Sequence, residues 1–166
     1  MTDGQFQLVI DDANAPERTK AKRLLFCSGK VFYTLTAARA KAGIDDTAIV
    51  RVEQLYPYPK KEIQQILAKY NAAEEIGWVQ EEPQNRGAWT YMEPRLRELL
   101  PDNTILSYFG REEAASPATG SMKMHKIEEE ELVDHALDLS ARQASVAKEV
   151  ASEKPATASK SQTVSG

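Results

Sequence analysis

Two adjacent carboxylates, Glu81 and Glu82, sit among amides in the run Gln80-Glu81-Glu82-Pro83-Gln84-Asn85-Arg86-Gly87-Ala88-Trp89. Paired carboxylates suggest general acid–base chemistry, which requires both groups to reach one substrate. The run follows the apolar Ile76-Gly77-Trp78-Val79, which reads as a strand, and neighbouring strand residues point to opposite faces. Cooperation on one proton is therefore disfavoured. So dense a set of hydrogen-bonding groups at a strand's carboxyl end exceeds what core packing needs. Gln80, Glu81, Glu82, Asn85 and Trp89 are read instead as a ligand loop or a tight subunit contact.

The cations suggest a second chemistry. Ser28-Gly29-Lys30 stands where a strand turns into a helix, and free amides at a helix start favour anions. The phosphate-loop pattern is incomplete: Leu24 stands where its first glycine belongs, and Val31 replaces the Ser or Thr after the lysine. Arg51 interrupts an apolar strand and must be paired if buried, with Glu53, Glu81 and Glu82 as available partners. Arg39, Lys41, Arg51 and Arg111 are the other cations near predicted strand ends or first turns. His125 and His135 lie ten residues apart near one helix and cannot chelate one metal from that helix alone. Cys27 sits in an apolar run and reads as a small core residue rather than a nucleophile. Ser116 to Ser121 is a small-residue loop, and Glu128 to Glu131 a solvated helix start. Nothing assembles into a complete active site, and no catalytic or metal-ligating residue is assigned.

Bulk properties narrow the class. The 166 residues carry a net charge of −4 with 28% charged side chains, which argues against a general nucleic-acid binder. A single cysteine excludes an internal disulfide and suits a reducing compartment. No apolar run approaches the roughly 20 residues that span a bilayer, and the amino terminus lacks a secretory pattern. These features predict a soluble, intracellular chain.

The elements that must position these groups follow from patterning. Residues 1–20 read as an arm or linker that packs on something else, since its patch Phe6, Leu8, Val9 and Ile10 is too short for an independent element. Four continuous apolar runs follow: Leu24–Cys27, Ala48–Val52, Ile76–Val79 and Thr104–Phe109. Continuous rather than alternating runs predict strands covered on both faces. Between them lie helical patterns over 31–42, over 60–70 after Pro59, and over 88–100, where Pro94 predicts a kink or a late start. A last helix is expected over roughly 125–143. This alternation predicts a largely parallel α/β sheet with helices on both faces, occupying residues 21–144. Residues 145–166, rich in Ala, Ser, Thr, Lys and Glu, are expected to form a disordered tail.

A set of motifs then resembles a known family. Ser28-Gly29-Lys30-Val31-Phe32-Tyr33, Ala48 to Pro59, Gln80-Glu81-Glu82-Pro83 through Gly87-Ala88-Trp89, Gly110-Arg111, and Ala115 to Gly120 occur in order. Together with Phe6-Gln7 and Val9 to Asp12 they resemble the carboxyl-terminal domain of 2-oxoglutarate dehydrogenase, the thiamine-diphosphate-dependent first component of the oxoglutarate dehydrogenase complex. The resemblance covers about residues 5–139. It implies a three-layer, transketolase C-terminal-like domain with five strands, one of them a reversed edge strand. Patterning supplies four strands, so the fifth is either Ser121–Met124 or an element not yet recognised. The resemblance places thiamine diphosphate, magnesium and the catalytic histidines in preceding domains, so this segment alone is expected to be inactive. It implies a role in closing a homodimer, with dihydrolipoamide succinyltransferase as partner in the complex, in the bacterial cytoplasm or the mitochondrial matrix. Some family members also bind an acyl-coenzyme A or AMP near this domain, and by charge and position Lys30, Arg39, Lys41, Arg51 and Arg111 would be the phosphate contacts of such a regulatory ligand, so a stand-alone regulatory module is an alternative. Whether the parent substrate is 2-oxoglutarate or 2-oxoadipate is left open. Arg86, and the tail after residue 144, depart from the family's usual pattern.

Overall fold

The computed structural model describes residues 6–17, 20–115 and 122–144. The expected disordered tail, the loop Ser116 to Ser121 and residues 1–5 lie outside them. Five strands, β1 (Val9–Ile10), β2 (Arg23–Cys27), β3 (Thr47–Val52), β4 (Glu75–Pro83) and β5 (Ile105–Arg111), alternate with α1 (Val31–Ala42), α2 (Lys60–Lys69), α3 (Trp89–Arg97) and α4 (Met122–Leu137). They form one sheet in the order β1-β3-β2-β4-β5, parallel except for β1.

The continuous apolar runs are explained by two cores, one on each face. Leu24, Phe26, Ala48, Val50, Ile76 and Trp78 pack with Ile63 and Ile66 of α2 and Met92 and Leu96 of α3. Leu25, Cys27, Ile49 and Val79 pack with Val31 and Leu35 of α1 and Leu132, Val133 and Ala136 of α4. Each strand residue therefore faces one helical layer or the other, which forces apolar side chains at consecutive positions. Largely parallel pairing brings Phe26 level with Val50 on one side and Trp78 on the other.

The fifth strand corrects the sequence reading. It is not Ser121–Met124, since Met122 opens α4 and Ser121 lies outside the described residues. It is the presumed arm, with Val9 opposite Val52 and Ile10 opposite Arg51. Two residues cannot stand as a strand alone, but the following acids lock them down. Arg39 and Asp12 form a buried ion pair, Asp12 Oδ2 accepts from the Ile49 N–H at 2.8 Å, and Arg39 Nη1 donates to the Thr47 carbonyl at 2.9 Å. Lys69 pairs with Asp11, and the Tyr70 hydroxyl donates to Asp11 Oδ1 at 2.8 Å. The arm thus packs on the domain as expected, riveted to α1, α2 and β3, and what the sequence did not show is that part of it is a strand.

Pro94 also differs from expectation. Helix α3 starts at Trp89 and runs through Pro94 to Arg97, so there is no late start. The last helix is interrupted within its expected span: α4 ends at Leu137, Asp138 adopts φ 59°, and residues 139–144 are helical again. Beyond it Arg142 forks onto Asp46 with two bonds of 2.8 and 3.0 Å, tying the end of the described chain to the entry of β3.

Candidate functional site

From β2 the chain moves outward through α1 to β3, and after α2 it returns to the other side of β2 as β4. This reversal leaves a crevice beyond the carboxyl ends of β2 and β4, the place where open α/β sheets bind ligands. Here it measures about 400 Å³ and is lined by Ser28, Lys30, Tyr56, Gln80, Glu81 and Tyr91, among others. Both stretches that the sequence singled out therefore meet at one place. Ser28-Gly29-Lys30 enters from β2, and Gln80-Glu81-Glu82 from β4.

Gln80 holds the loop beside the crevice together. It is buried, and its Oε1 accepts from Trp78 Nε1 at 3.0 Å and from the Ala88 and Trp89 amides at 3.1 and 2.9 Å. Its Nε2 faces the carbonyls of Glu82, Pro83 and Arg86 at 3.2, 3.1 and 2.8 Å, two N–H groups serving three acceptors. One amide thus secures the turn after β4 and supplies the first amides of α3 with an acceptor. Gly87 sits against it at φ 64°, where an added Cβ would lie 3.0 to 3.1 Å from the Gln80 amide group. At Gly110 a Cβ would lie 2.3 Å from Tyr108 Oη and 2.8 Å from the Gln80 carbonyl. Tyr108 Oη in turn lies 3.0 and 2.9 Å from the carbonyls of Glu82 and Arg111, and burial pushes its phenol up to about 12.

The rest of the loop is also engaged within the chain. Asn85 exchanges two bonds of 3.2 Å with the Ala114 backbone, and Arg86 Nη2 donates to the Ala115 carbonyl at 2.8 Å. The Trp89 ring tilts against Tyr108 with centroids 5.2 Å apart. Gln80, Asn85 and Arg86 serve as internal fasteners, and the polar density that suggested recognition is largely used to hold the loop itself. Glu81 and Glu82 line the crevice, and Glu81 Oε1 lies 3.8 Å from Lys30 Nζ.

The five candidate cations are not brought to one place. Lys30, Arg51 and Arg111 lie at the carboxyl end of the sheet, whereas α1 runs back and leaves Arg39 and Lys41 at the opposite end. Arg39 is buried and committed to Asp12, Asn14 and Thr47, so it is a structural group. Lys41 is exposed on the last turn of α1. Lys30 lies between Glu81 and Glu129 at 3.8 and 3.9 Å. Arg111 pairs with Glu128 at 2.9 Å. Arg51 pairs with Glu53, one of its three expected partners, and donates to Tyr33 Oη at 2.7 Å. It also lies over the Phe32 and Tyr33 rings at 4.9 and 5.2 Å from their centroids. The Tyr33 bond, against partial burial, holds its guanidinium above the usual value.

Cys27 is fully buried, and burial pushes its thiol up to about 12, the opposite of what a nucleophile needs. His125 and His135 are exposed on α4. Among the described residues no group of three or more His, Cys, Asp or Glu is placed to hold a metal ion, and no helix is long and apolar enough to cross a membrane. Sequence reasoning missed Tyr56 and Tyr91 as crevice walls and Tyr33 as the partner of Arg51. Tyrosines bounding a strand end look alike in sequence whether they face a core, a cleft or solvent.

Fold and crevice define a mostly parallel α/β domain with its switch-point loop fastened by its own hydrogen bonds. A family profile described as 2-oxoglutarate dehydrogenase C-terminal matches residues 1–137, and the chain belongs to that family. It is 46% identical over 138 residues to the 2-oxoglutarate dehydrogenase E1 component of Geobacillus sp. (strain WCH70), covering 82% of this chain and 14% of that protein. It is 40% identical over 140 residues to the oxoglutarate dehydrogenase of Buchnera aphidicola subsp. Baizongia pistaciae (strain Bp), covering 84% and 15%. With the E1 component of Shouchella clausii (strain KSM-K16) the identity is 42% over 139 residues, covering 82% and 15%. The chain thus spans only 14 to 15% of the length of these curated relatives.

Proposed function

We propose that this chain is the carboxyl-terminal bracing domain of a 2-oxoglutarate dehydrogenase E1 component, of transketolase C-terminal type. One observation carries the reading. Identity of 40 to 46% extends across nearly the whole described domain, yet that stretch is a small fraction of each relative. The family match and the internal commitment of the Gln80 loop both support a supporting rather than a reacting role. The parent would decarboxylate 2-oxoglutarate on thiamine diphosphate with magnesium and pass the succinyl group to a lipoyl group of dihydrolipoamide succinyltransferase, in the bacterial cytoplasm. The preceding polypeptide of the parent, rather than this segment, would hold the thiamine diphosphate and magnesium. This domain would close the homodimer and hold the active-site region from outside. Turnover of 2-oxoglutarate by the full E1 chain, by that chain lacking this segment, and by the segment alone tests the reading. Activity is expected only with the full chain, and decarboxylation by the segment alone would refute it.

The crevice favours a second reading, a regulatory module for an acyl-coenzyme A or AMP, with Ser28, Gly29 and Lys30 at the start of α1 as phosphate contacts. Arg51 and Arg111, at the same end of the sheet, would be its outlying cations, whereas Arg39 and Lys41 lie too far away to take part. Titration calorimetry with acetyl-coenzyme A and AMP separates the two. Saturable binding lost in Lys30→Ala or Arg51→Ala would favour regulation, and no heat would favour bracing.

A further inference from the structure

Away from the crevice, α1 and α4 bound a groove of about 560 Å³. Its floor is apolar: Ala38 of α1, Val133 of α4 and Leu139 all belong to the core beneath these two helices. Its rim is acidic, with Glu129, Glu130, Glu131 and Asp134 against Lys126. An apolar floor under an acidic rim suits an amphipathic helix with lysines on its polar side.

The chain itself arrives at this groove. Asp138, at φ 59°, ends α4, and residues 139–144 form a further helical stretch. Arg142 pins that stretch, donating to the Leu137 carbonyl at 3.1 Å and to the Asp46 carboxylate at 2.8 and 3.0 Å. Leu139 and Gln143, four residues apart and so on one helical face, line the groove. Ala144 is the last described residue, so the chain leaves the described fold beside the groove.

We infer that the groove seats the chain's own continuation, Val146 to Ala151, as an extension of the helix that begins at Leu139. Three observations select this occupant. Carried on with the helical period, the face that holds Leu139 and Gln143 next presents Val146, Ala147 and Val150, all apolar. Lys148, Lys154 and Lys160 outnumber Glu149 and Glu153 in this part of the chain, a surplus of the sign opposite to the rim. Reach is sufficient as well. Pro155 leaves room for about 15 residues of helix from Leu139, roughly 22 Å, against roughly 12 Å of α4 between Lys126 and Asp134. The segment lies past residue 137, where the family match ends, and its docking does not depend on the activity proposed for the parent.

Disulfide trapping tests the docking in the 166-residue chain, where Cys27 is fully buried. Val150→Cys is combined with Ala38→Cys in the groove, or with Ala40→Cys, which is exposed and lies roughly 200° round the same helix. The Ala38 pair is expected to close an intrachain disulfide at least about tenfold faster than the Ala40 pair. Amides of Val146 to Ala151 in the unsubstituted chain are expected to exchange at least about tenfold more slowly than in a free peptide of residues 139–166. Equal trapping rates, or exchange as fast as in the peptide, would overturn the docking. Trapping between chains instead of within one would assign the groove to a second copy and overturn it too. Where the Ala38 pair fails to fold, exchange in the unsubstituted chain decides alone.

Discussion

Gln80 shows how a residue that looks like a ligand group becomes part of the scaffold. A glutamine at a strand's end can face outward to a partner or inward to its own turn, and composition is the same in both cases. Here the neighbouring Trp78 indole and the two amides at the start of α3 converge on its oxygen, which selects the inward state. Replacement by Leu leaves these donors and the facing carbonyls without partners. Gln80→Leu is expected to lower stability by roughly 2–4 kcal/mol, read as a fall in the urea midpoint. An unchanged midpoint would show that water satisfies the loop. At Cys27 the sequence sufficed, because an apolar run with strand character already implies burial. Its thiol should resist alkylation in the native chain and react only in step with unfolding as denaturant rises.

At the scale of elements, β2, β3 and β4 were legible because each buries both faces and so carries consecutive apolar residues, and the edge strand β5, only partly covered, keeps a similar continuous run. The short strand β1 was not. Val9 and Ile10 gain their place from the open edge of β3 and from the clamps that follow them, contacts that reach 27 to 59 residues along the chain. Asp12→Ala would leave the buried Arg39 charge without its carboxylate. The expected cost is about 3–5 kcal/mol, with faster hydrogen exchange at Glu53 and Gln54, whose amides bond to Leu8. Slow exchange there in the variant would mean that pairing with β3 alone holds the arm. The course of α3 through Pro94 was likewise hidden. Five helical residues precede that proline and Met92 and Leu96 are buried on either side of it, so packing outweighs the lost donor.

Across the whole molecule, two clamps should set the acid limb of stability. Burial alone would raise the Asp11 carboxyl, but bonds from Lys69, Tyr70 and the Asp12 amide hold it below its ordinary value. Asp46 behaves alike: burial opposes, and Arg142 and Thr47 prevail. A carboxyl lower in the folded than in the unfolded state stabilises above the unfolded value, about 3.9, and that contribution is lost as pH falls through the folded one. Urea midpoints should therefore drop below about pH 4, and Asp46→Asn should flatten that drop while lowering the plateau at pH 7. A variant that titrates like the parent would remove Asp46 from this role. Sequence by itself determined the layered α/β class and the family, since periodicity and ordered motifs are local properties written along the chain. Only the tertiary structure decided which polar groups are turned inward and which cations share an end. Those outcomes depend on strand order and helix direction, which bring together residues that no spacing in the chain relates.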